Sequence, residues 1–394
     1  MPHRPVCRPR GPAACLLMAV CLLAPPAVSV AHADIKVGVT LSQTGPAASL
    51  GLPAKNAIAL FPDEIAGQPV RYIVMDDASD PTNSTRNLRR LIDEHKIDVA
   101  LGSSVTPATL PLVDVAAESK VPLLSLAASA KIVEPMDGKR AWVFKAIQNE
   151  RLMVAATLAH MKKSGVKTLG FIGFADAYGD AWLAEIRNQL DAAGIRLVAT
   201  ERYVRTDTSV VAQALKLTAA KPDAVLIAAS GTPGALPQKT LAERGYKGRI
   251  YQTYGIANLD FLRVSGKDAE GALFAVGPVL VADQLDAANP VRPVATDLVA
   301  RYEKAYGTGS MSIFAANAWD AQLVLRNAIP LALAKAAPGT EAFRSALRDA
   351  LESTRDLVTS QGVSTMSKAD HVGYDKRAAA MVRIRNGRWE LVRD

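Results

Sequence analysis

The stretch IKVGVTL-SQTGP, residues 35–46, decides the fold class. Its first part, IKVGVTL, is mostly apolar or β-branched, which is typical of a strand buried on both faces of a sheet. The second part, SQTGP, contains hydroxyl groups and a Gly-Pro pair, which indicate a turn after that strand. Because ligands of open α/β sheets bind beyond the carboxyl ends of the strands, this segment is either an ordinary turn or part of a ligand site.

Short β-rich runs and helical patterns alternate along the rest of the chain. Further strands are predicted at Val70–Met75, Val99–Leu101, Leu123–Leu126, Thr168–Phe174, Arg196–Tyr203, Ala224–Ala228, Ile250–Tyr254 and Ala272–Val276. Helices are predicted at Asn83–His95, Leu110–Glu118, Arg151–Lys162, Tyr178–Ala193, Ser209–Ala219, Ala235–Arg244, Val294–Tyr306, Ser312–Leu333 and Thr340–Leu351. Buried strands between amphipathic helices are typical of parallel sheets covered on both faces. A break near Ile147, with a similar plan on either side, favours an α/β fold of two doubly wound parallel-sheet lobes.

Glycine residues mark the ends of several predicted elements. Gly165, Gly194 and Gly245 each follow a helical pattern and precede the next strand, as C-terminal caps do. The pair Asn386-Gly387 lies between two short β-rich runs and suits the tight turn of a hairpin. The chain is therefore predicted to end in a hairpin over residues 378–392.

The chain opens with the parts of a secretory signal. These are three arginines, a short apolar run and a small-x-small motif, at Arg4, Arg8, Arg10, Ala13–Ala24 and Ala31-His32-Ala33. Because the apolar run is too short to cross a bilayer, we expect a signal peptide over residues 1–33, cleaved after Ala33, and a periplasmic protein. A membrane anchor, or a lipid on Cys21, is the alternative.

Composition argues against several classes of protein. All three cysteines precede residue 22, and the only histidines after residue 33 are His95, His160 and His371, so neither a disulfide nor a zinc-binding HExxH motif is expected. The GxSxG, GxxxxGK[ST] and GxGxxG patterns are missing beyond the signal, so we expect a binding protein without cofactor or metal rather than an enzyme. The net charge of +8 is spread out and is not interleaved with aromatic residues, so nucleic acid is not an expected partner. A secreted hydrolase is the enzymatic alternative.

Polar loops follow several predicted strands. In the first half they are 42–46, 102–107 and 125–129, and in the second half 174–179, 230–234 and 253–255. Each loop alone fits turn or helix-capping chemistry, and for Asp176 we favour a helix cap. Three hydroxyl-bearing loops at the strand ends of one lobe indicate a polar wall built for hydrogen bonding, with Ser104 among its candidates. In the second half, Gly231 allows close backbone approach.

Taken in order, these motifs resemble the type I periplasmic binding proteins of ABC importers, specifically the leucine/isoleucine/valine-binding branch. The resemblance rests on Ile35–Val39 with Thr44-Gly45-Pro46, Asp76–Pro81, Gly102–Pro107, Val121–Ser125, Asp176–Gly179 and Ala269–Gly271. It implies two lobes that are joined by a three-stranded hinge and close on a ligand. The chain would cross between them near Ile147, near Pro278 and at Thr359–Thr365, giving an N-terminal lobe of residues 34–147 plus 278–360 and a C-terminal lobe of residues 148–277 plus 361–394.

The resemblance also implies ligand contacts. A hydroxyl for the ligand carboxylate falls on Thr106, while a backbone carbonyl and a hydroxyl for the ligand amine fall on Ala127 and Ser129. The aromatic residue of the second lobe falls on Tyr178. No disulfide is expected in the first lobe, where Ser79 and Val105 replace the cysteines of some family members.

Two departures from the family pattern bear on the ligand. Tyr254 stands where the amino acid binders have a glutamate for the α-ammonium, and Leu50 replaces the aromatic residue of the first loop. Because an unpaired ammonium is costly to bury, the ligand is either an amino acid or a related small carboxylate, or else an aromatic or short organic acid without an α-amine. The implied partners are this ligand and the permease subunits of an ABC importer, with the protein as a monomer. A sensory role is the other use of such a fold.

Overall fold

The computed structural model describes residues 1–6 and 33–393. Residues 1–6 are exposed and contain no helix or strand, and from Ala33 onward the chain forms one compact unit. The apolar run and most of the cleavage motif of the predicted signal lie outside the described residues. Among the helices that are described, none is both long enough and apolar enough to cross a membrane.

The strands and helices follow the predicted alternation. The strands are β1 Ile35–Leu41, β2 Glu64–Ile65, β3 Gln68–Asp76, β4 Val99–Gly102, β5 Leu123–Ser125, β6 Val143–Lys145, β7 Thr168–Phe174, β8 Arg196–Tyr203, β9 Ala224–Ala228, β10 Arg249–Gln252, β11 Leu273–Val276, β12 Leu357–Val358, β13 Val363–Ser364, β14 Ala380–Arg385 and β15 Arg388–Leu391. The α-helices are α1 Ala48–Ile58, α2 Pro81–Asp93, α3 Thr106–Thr109, α4 Leu112–Ser119, α5 Glu150–Lys163, α6 Ala177–Ala193, α7 Val211–Ala219, α8 Ala235–Glu243, α9 Leu259–Ser265, α10 Val291–Tyr306, α11 Ile313–Leu333 and α12 Glu341–Glu352.

The first sheet has the strand order β2-β3-β1-β4-β5-β6. All its pairings are parallel except the one between the short edge strand β2 and β3. Strand β1 lies between β3 and β4, with Val37 paired to Tyr72 on one side and to Val99 on the other. Its apolar side chains are fully buried because helices cover the sheet, as the apolar run of β1 predicts. We call this sheet and its helices the first lobe.

The second sheet has the order β15-β14-β11-β10-β9-β7-β8. Strands β7 to β11 are mutually parallel, whereas β14 and β15 are antiparallel and form the predicted hairpin, with Arg385 paired to Arg388 around the turn. We call this sheet with its helices the second lobe. The prediction of two α/β lobes is confirmed, although both sheets are mixed rather than purely parallel, because each has an antiparallel hairpin at one edge.

Helix α1 and strand β6 are among the elements that the sequence patterns missed. Helix α1 contains Gly51 and Pro53, which are poor residues for a helix interior. Gly51 is nonetheless required there, because a β-carbon would lie 2.0 Å from the Ser42 backbone oxygen. Strand β6 has only three residues, which is too short for a periodic pattern. Both elements are defined by packing rather than by local preference.

The segments at the first two predicted crossings lie close together. The Gln148 side chain donates hydrogen bonds to the backbone oxygens of Gln361 and Ala378, at 3.4 and 3.2 Å. A β-carbon on Gly277 would lie 2.4 Å from the Gln361 side-chain oxygen and 2.9 Å from the Gln148 amide nitrogen. The segments around residues 148, 277 and 361 therefore pack against each other, as a shared hinge requires.

We infer a third crossing later in the chain than the predicted Thr359–Thr365. The Lys145 N–H of β6 donates to the His371 backbone oxygen at 3.0 Å, and Val372 is buried in the core beneath the first sheet. Segment 365–374 therefore still belongs to the first lobe, and the chain joins the second sheet only at Ala380. We infer that the third crossing lies between Tyr374 and Ala380. The sequence gives no signal for this, because residues 357–374 form a small irregular excursion along the edge of β6.

Candidate functional site

A cavity lies between the two lobes, where strand-end loops of both sheets face each other. It is lined by Leu50, Ser104, Val105, Thr106, Leu126, Ala128, Ile147, Tyr178, Arg205, Ser230, Tyr254, Gly255 and Phe314. Its volume is about 20 Å³, far below the roughly 300–1,000 Å³ of typical small-molecule pockets. The lobes are therefore closed on each other, and a ligand must separate them or displace side chains in order to enter.

The loop after β4 presents the first-lobe hydroxyls. It is held by buried Asp77, which accepts hydrogen bonds from the Ser42 and Ser103 hydroxyls at 2.8 and 2.6 Å. Burial raises the pKa of the Asp77 carboxyl, and these hydrogen bonds oppose that rise. The Ser104 hydroxyl accepts the Ser42 N–H at 3.1 Å, so its oxygen already has a partner. Thr106 begins α3, and its Oγ1 atom is buried at the cavity without a protein partner. Both predicted hydroxyls can therefore donate to a ligand, since Ser104 only accepts within the protein, and Thr106 is the one whose Oγ1 atom has no partner at all.

The loop after β5 differs from the prediction. Ala127 and Ser129 do not line the cavity, whereas their neighbours Leu126 and Ala128 do. The Ser129 hydroxyl accepts the Lys131 N–H at 3.3 Å as a cap of the following turn, and the Ser125 hydroxyl accepts the Ala127 N–H at 3.0 Å. The hydroxyl groups of this loop thus bond the loop itself, which the sequence pattern could not distinguish from a ligand contact.

Two tyrosines from the second lobe form one side of the cavity. Tyr178 donates its hydroxyl to the Thr253 Oγ1 atom at 2.7 Å, and Tyr254 donates to the Gln148 backbone oxygen at 3.1 Å. Burial raises the pKa of both hydroxyls well above the ordinary value, so both are neutral. Because these O–H donors are already used within the protein, the rings present mainly apolar surface to a ligand.

Arg205 is the cavity residue that the sequence reasoning missed. It follows β8, and its Nε donates to Asp176 Oδ2 at 2.7 Å while Nη1 donates to the Ser230 hydroxyl at 2.9 Å. Its guanidinium carbon lies 4.0 Å from the centre of the Phe174 ring, a cation–π contact. The Nη2 atom is buried without a protein partner. A search of every strand end, including that of β8, would have found this residue.

Asp176 and Gly231 serve as supports. Asp176 Oδ1 accepts the N–H groups of Tyr178 and Gly179 at the start of α6, as predicted for a helix cap, while Oδ2 binds Arg205. Gly231 has a φ of +64° and does not line the cavity. A β-carbon at Gly231 would lie 2.6 Å from the Ser49 hydroxyl and 2.8 Å from Leu50 Cδ1, so this glycine lets the lobes meet.

A second chamber, of about 240 Å³, adjoins the cavity and shares Val105 and Arg205 with it. Its walls are largely apolar and include Pro46, Pro107, Ala175 and Val204. Arg205 therefore lies at the junction of an inner apolar cavity and a wider outer chamber.

The cavity lining contains a cation but no acid among its described residues. Among the described lining residues, Arg205 is the only one that is charged. Two acids close to these residues already have partners, since Asp176 pairs with Arg205 itself and Glu150 Oε2 accepts the Ala130 N–H at 2.8 Å. Within the described part of the chain, no group of three His, Cys, Asp or Glu side chains is placed to hold a metal ion. The cavity therefore suits an anion attached to an apolar body.

Comparison with known proteins agrees with this architecture. Residues 34–388 match a protein family described as periplasmic binding protein. The chain belongs to that family. It is 25% identical over 251 residues to the Leu/Ile/Val-binding protein BraC3 of Rhizobium johnstonii, a match that covers 62% of this chain and 68% of the relative. The resemblance to the leucine/isoleucine/valine-binding branch is thus confirmed, and the fold and family are those of substrate-binding proteins.

Two solved structures place this periplasmic binding protein among its relatives. An extracellular ligand-binding receptor from Rhodopseudomonas palustris HaA2 is 45% identical with a TM-score of 0.89, covering 92% of this chain and all of that one. A solute-binding protein from R. palustris in complex with benzoate is 22% identical with a TM-score of 0.79, covering 91% of this chain and 96% of that one. The second likeness shows the shared fold alone.

Proposed function

We propose that this periplasmic binding protein captures a small organic carboxylate that lacks an α-amine. The observation that carries the proposal is the Arg205 guanidinium, which has one buried N–H₂ group without a protein partner at the edge of an apolar cavity. A carboxylate would complete the hydrogen bonding of this guanidinium. Thr106, whose hydroxyl is also free, would bind the same group from the other lobe.

The amine half of an amino acid site is not supported by these contacts. Tyr254 replaces the expected glutamate, and its hydroxyl bonds Gln148 instead of facing the cavity as an acceptor. Asp176 is already paired with Arg205. An α-ammonium would therefore be buried without a carboxylate partner, which is strongly unfavourable. Of the two ligand classes that the sequence left open, these contacts favour the organic acid.

The ligand would act by shifting the lobes toward the closed form. Arg205 belongs to the second lobe and Thr106 to the first, so a carboxylate bound by both gains contacts only when the lobes meet. A ligand stabilises a conformation by its differential affinity for that conformation. We propose that the closed monomer then delivers the ligand to ABC permease subunits after export to the periplasm and cleavage behind Ala33. Delivery to a sensory receptor is the alternative use.

The proposal is tested by calorimetric titration of the purified protein with amino acids and with carboxylates that lack an amine. We expect carboxylates to bind, and Arg205→Gln to weaken that binding by roughly 10- to 150-fold, as for loss of a charge-assisted hydrogen bond of about 1.5–3 kcal/mol. Arg196→Gln, at the exposed start of the same strand β8, is the matched control and should bind normally. Tight binding of leucine with no response to carboxylates would refute the proposal.

A further inference from the structure

A second cation lies directly behind the cavity wall. Lys145, the last residue of β6, is fully buried, and its ammonium donates hydrogen bonds to the Ala128 backbone oxygen and to the Asn149 side-chain oxygen. Ala128 itself lines the cavity. The Lys145 charge is therefore one peptide group away from the ligand space.

The position of this ammonium is informative because of the loop that it bonds. The resemblance to the family assigned the ligand amine to a backbone carbonyl in the loop after β5. That carbonyl falls on Ala127, and the carbonyl of its neighbour Ala128, a residue that lines the cavity, accepts a hydrogen bond from an ammonium that the protein supplies itself. A ligand ammonium at the same place would approach a like charge.

The acid that balances this charge is not available to a ligand. Glu150, at the start of α5, is 3% exposed, and its carboxylate accepts the Ala130 N–H of the same loop. Glu150 is also the largest electrostatic attraction on Lys145. Burial lowers the pKa of Lys145 to about 8, so the side chain is still mostly protonated at neutral pH. Asn149 in turn donates to Glu134 at 2.9 Å, which fixes its oxygen toward Lys145.

We infer that Lys145 is a specificity-determining residue that makes the cleft reject α-amino acids, because its ammonium occupies the Ala128 carbonyl and repels a second cation. The inference rests on the proposed function and deepens it, since it explains the preference for acids without an amine. Lys145 acts through Ala128 and does not itself touch the ligand. We therefore expect it to change the ratio of the affinities for a desamino acid and for its amino acid, and not the ability to bind carboxylates.

The test uses pairs of ligands that differ only at the α-carbon. The purified protein is titrated with 3-phenylpropanoate and phenylalanine, and with 4-methylpentanoate and leucine. We expect each desamino acid to bind at least 100-fold more tightly than its amino acid. In Lys145→Gln, which keeps a hydrogen-bond donor for Ala128 but no charge, this ratio should fall at least tenfold. Lys131→Met, an exposed lysine of the same loop, should leave the ratio unchanged.

A further arm on the unchanged protein makes the test independent of how the variant folds. Phenyllactate has a hydroxyl in place of the ammonium and nearly the same shape. If charge causes the rejection, phenyllactate should bind within tenfold of 3-phenylpropanoate. Equal rejection of phenyllactate and phenylalanine would overturn the inference, as would an unchanged ratio in folded Lys145→Gln. Binding of the amino acids in preference to the carboxylates would overturn the proposed function as well.

Discussion

Asp320→Asn should change how the stability of this protein depends on pH. Asp320 lies in the middle of α11 and is fully buried. Its Oδ1 atom accepts the Ser360 N–H at 2.8 Å, and Oδ2 accepts the Tyr374 hydroxyl at 3.3 Å. Burial raises the pKa of the carboxyl from 3.8 to about 6 despite these hydrogen bonds. The folded protein therefore holds a proton on Asp320 at pH values where the unfolded chain has lost it.

The sign and size of the effect follow from proton linkage. A raised pKa in the folded state contributes stability that is fully present below pH 3.8 and is lost as the pH rises through about 6. The gap between the two pKa values corresponds to a loss of about 3 kcal/mol in the free energy of unfolding from a pH below both values to a pH above both. Between pH 4 and pH 7.5 the loss is about 2 kcal/mol. Asparagine keeps an oxygen for the Ser360 N–H but does not ionise. As the pH rises from 4 to 7.5, the free energy of unfolding of the variant should therefore increase by about 2 kcal/mol relative to that of the original protein.

Urea unfolding of both proteins, followed by circular dichroism from pH 4 to pH 7.5, measures this difference directly. The two proteins have their other titrating groups in common, so the contributions of these groups to the pH dependence of unfolding cancel in the comparison. Asp297→Asn is the control, because the Asp297 side chain is 55% exposed on α10 and its removal should give no comparable trend. A difference between Asp320→Asn and the original protein that stays constant with pH would refute the reasoning.

Two further predictions concern the cleft. Gly231→Ala should weaken ligand binding about tenfold in calorimetry, because the added methyl group would meet Leu50 only when the lobes close. The control is Gly245→Ala, because Gly245 has a similar positive φ but open space around it. This control should lower the free energy of unfolding by about 1 kcal/mol and leave the affinity unchanged. Thr106→Val should reduce carboxylate affinity roughly three- to tenfold, because the proposed hydrogen bond to the ligand is lost. Thermal stability should not fall, because the Thr106 hydroxyl has no partner in the protein. An unchanged affinity would mean that the carboxylate binds elsewhere.

The fold was largely predictable because its central strands are buried apolar runs and because most strands have clear boundaries. Strands β1, β7, β8 and β9 begin and end at the predicted residues, and Gly194 caps α6 with a φ of +68°. What the sequence did not reveal depends on tertiary context. The glycine within α1 and the path of residues 365–374 along β6 are set by what packs against them, which no local pattern records.

The site was predictable only as a set of loops. Strand-end reasoning and the family resemblance together predicted Leu50, Ser104, Thr106, Tyr178 and Tyr254, which line one cavity. It could not tell which polar atoms are already bonded within the protein, and that distinction decides what the cavity recognises. A sequence shows hydroxyl groups, whereas recognition depends on the few atoms that are left without a partner.

The unpartnered atoms and the protein's own charge interactions at the cleft together support the proposed change of ligand class within this fold. Asp176 and Glu150 lie near the cleft and would each suit an ammonium if they were free. Asp176 is instead paired with Arg205, and Glu150 interacts electrostatically with Lys145. In the proposed function, a carboxylate would complete the hydrogen bonding of Arg205, whereas an α-ammonium would have to compete with two built-in cations for two acids. Under the proposed function, selectivity against amino acids would therefore arise from an unfavourable element that is already present, in addition to the favourable contact with the carboxylate.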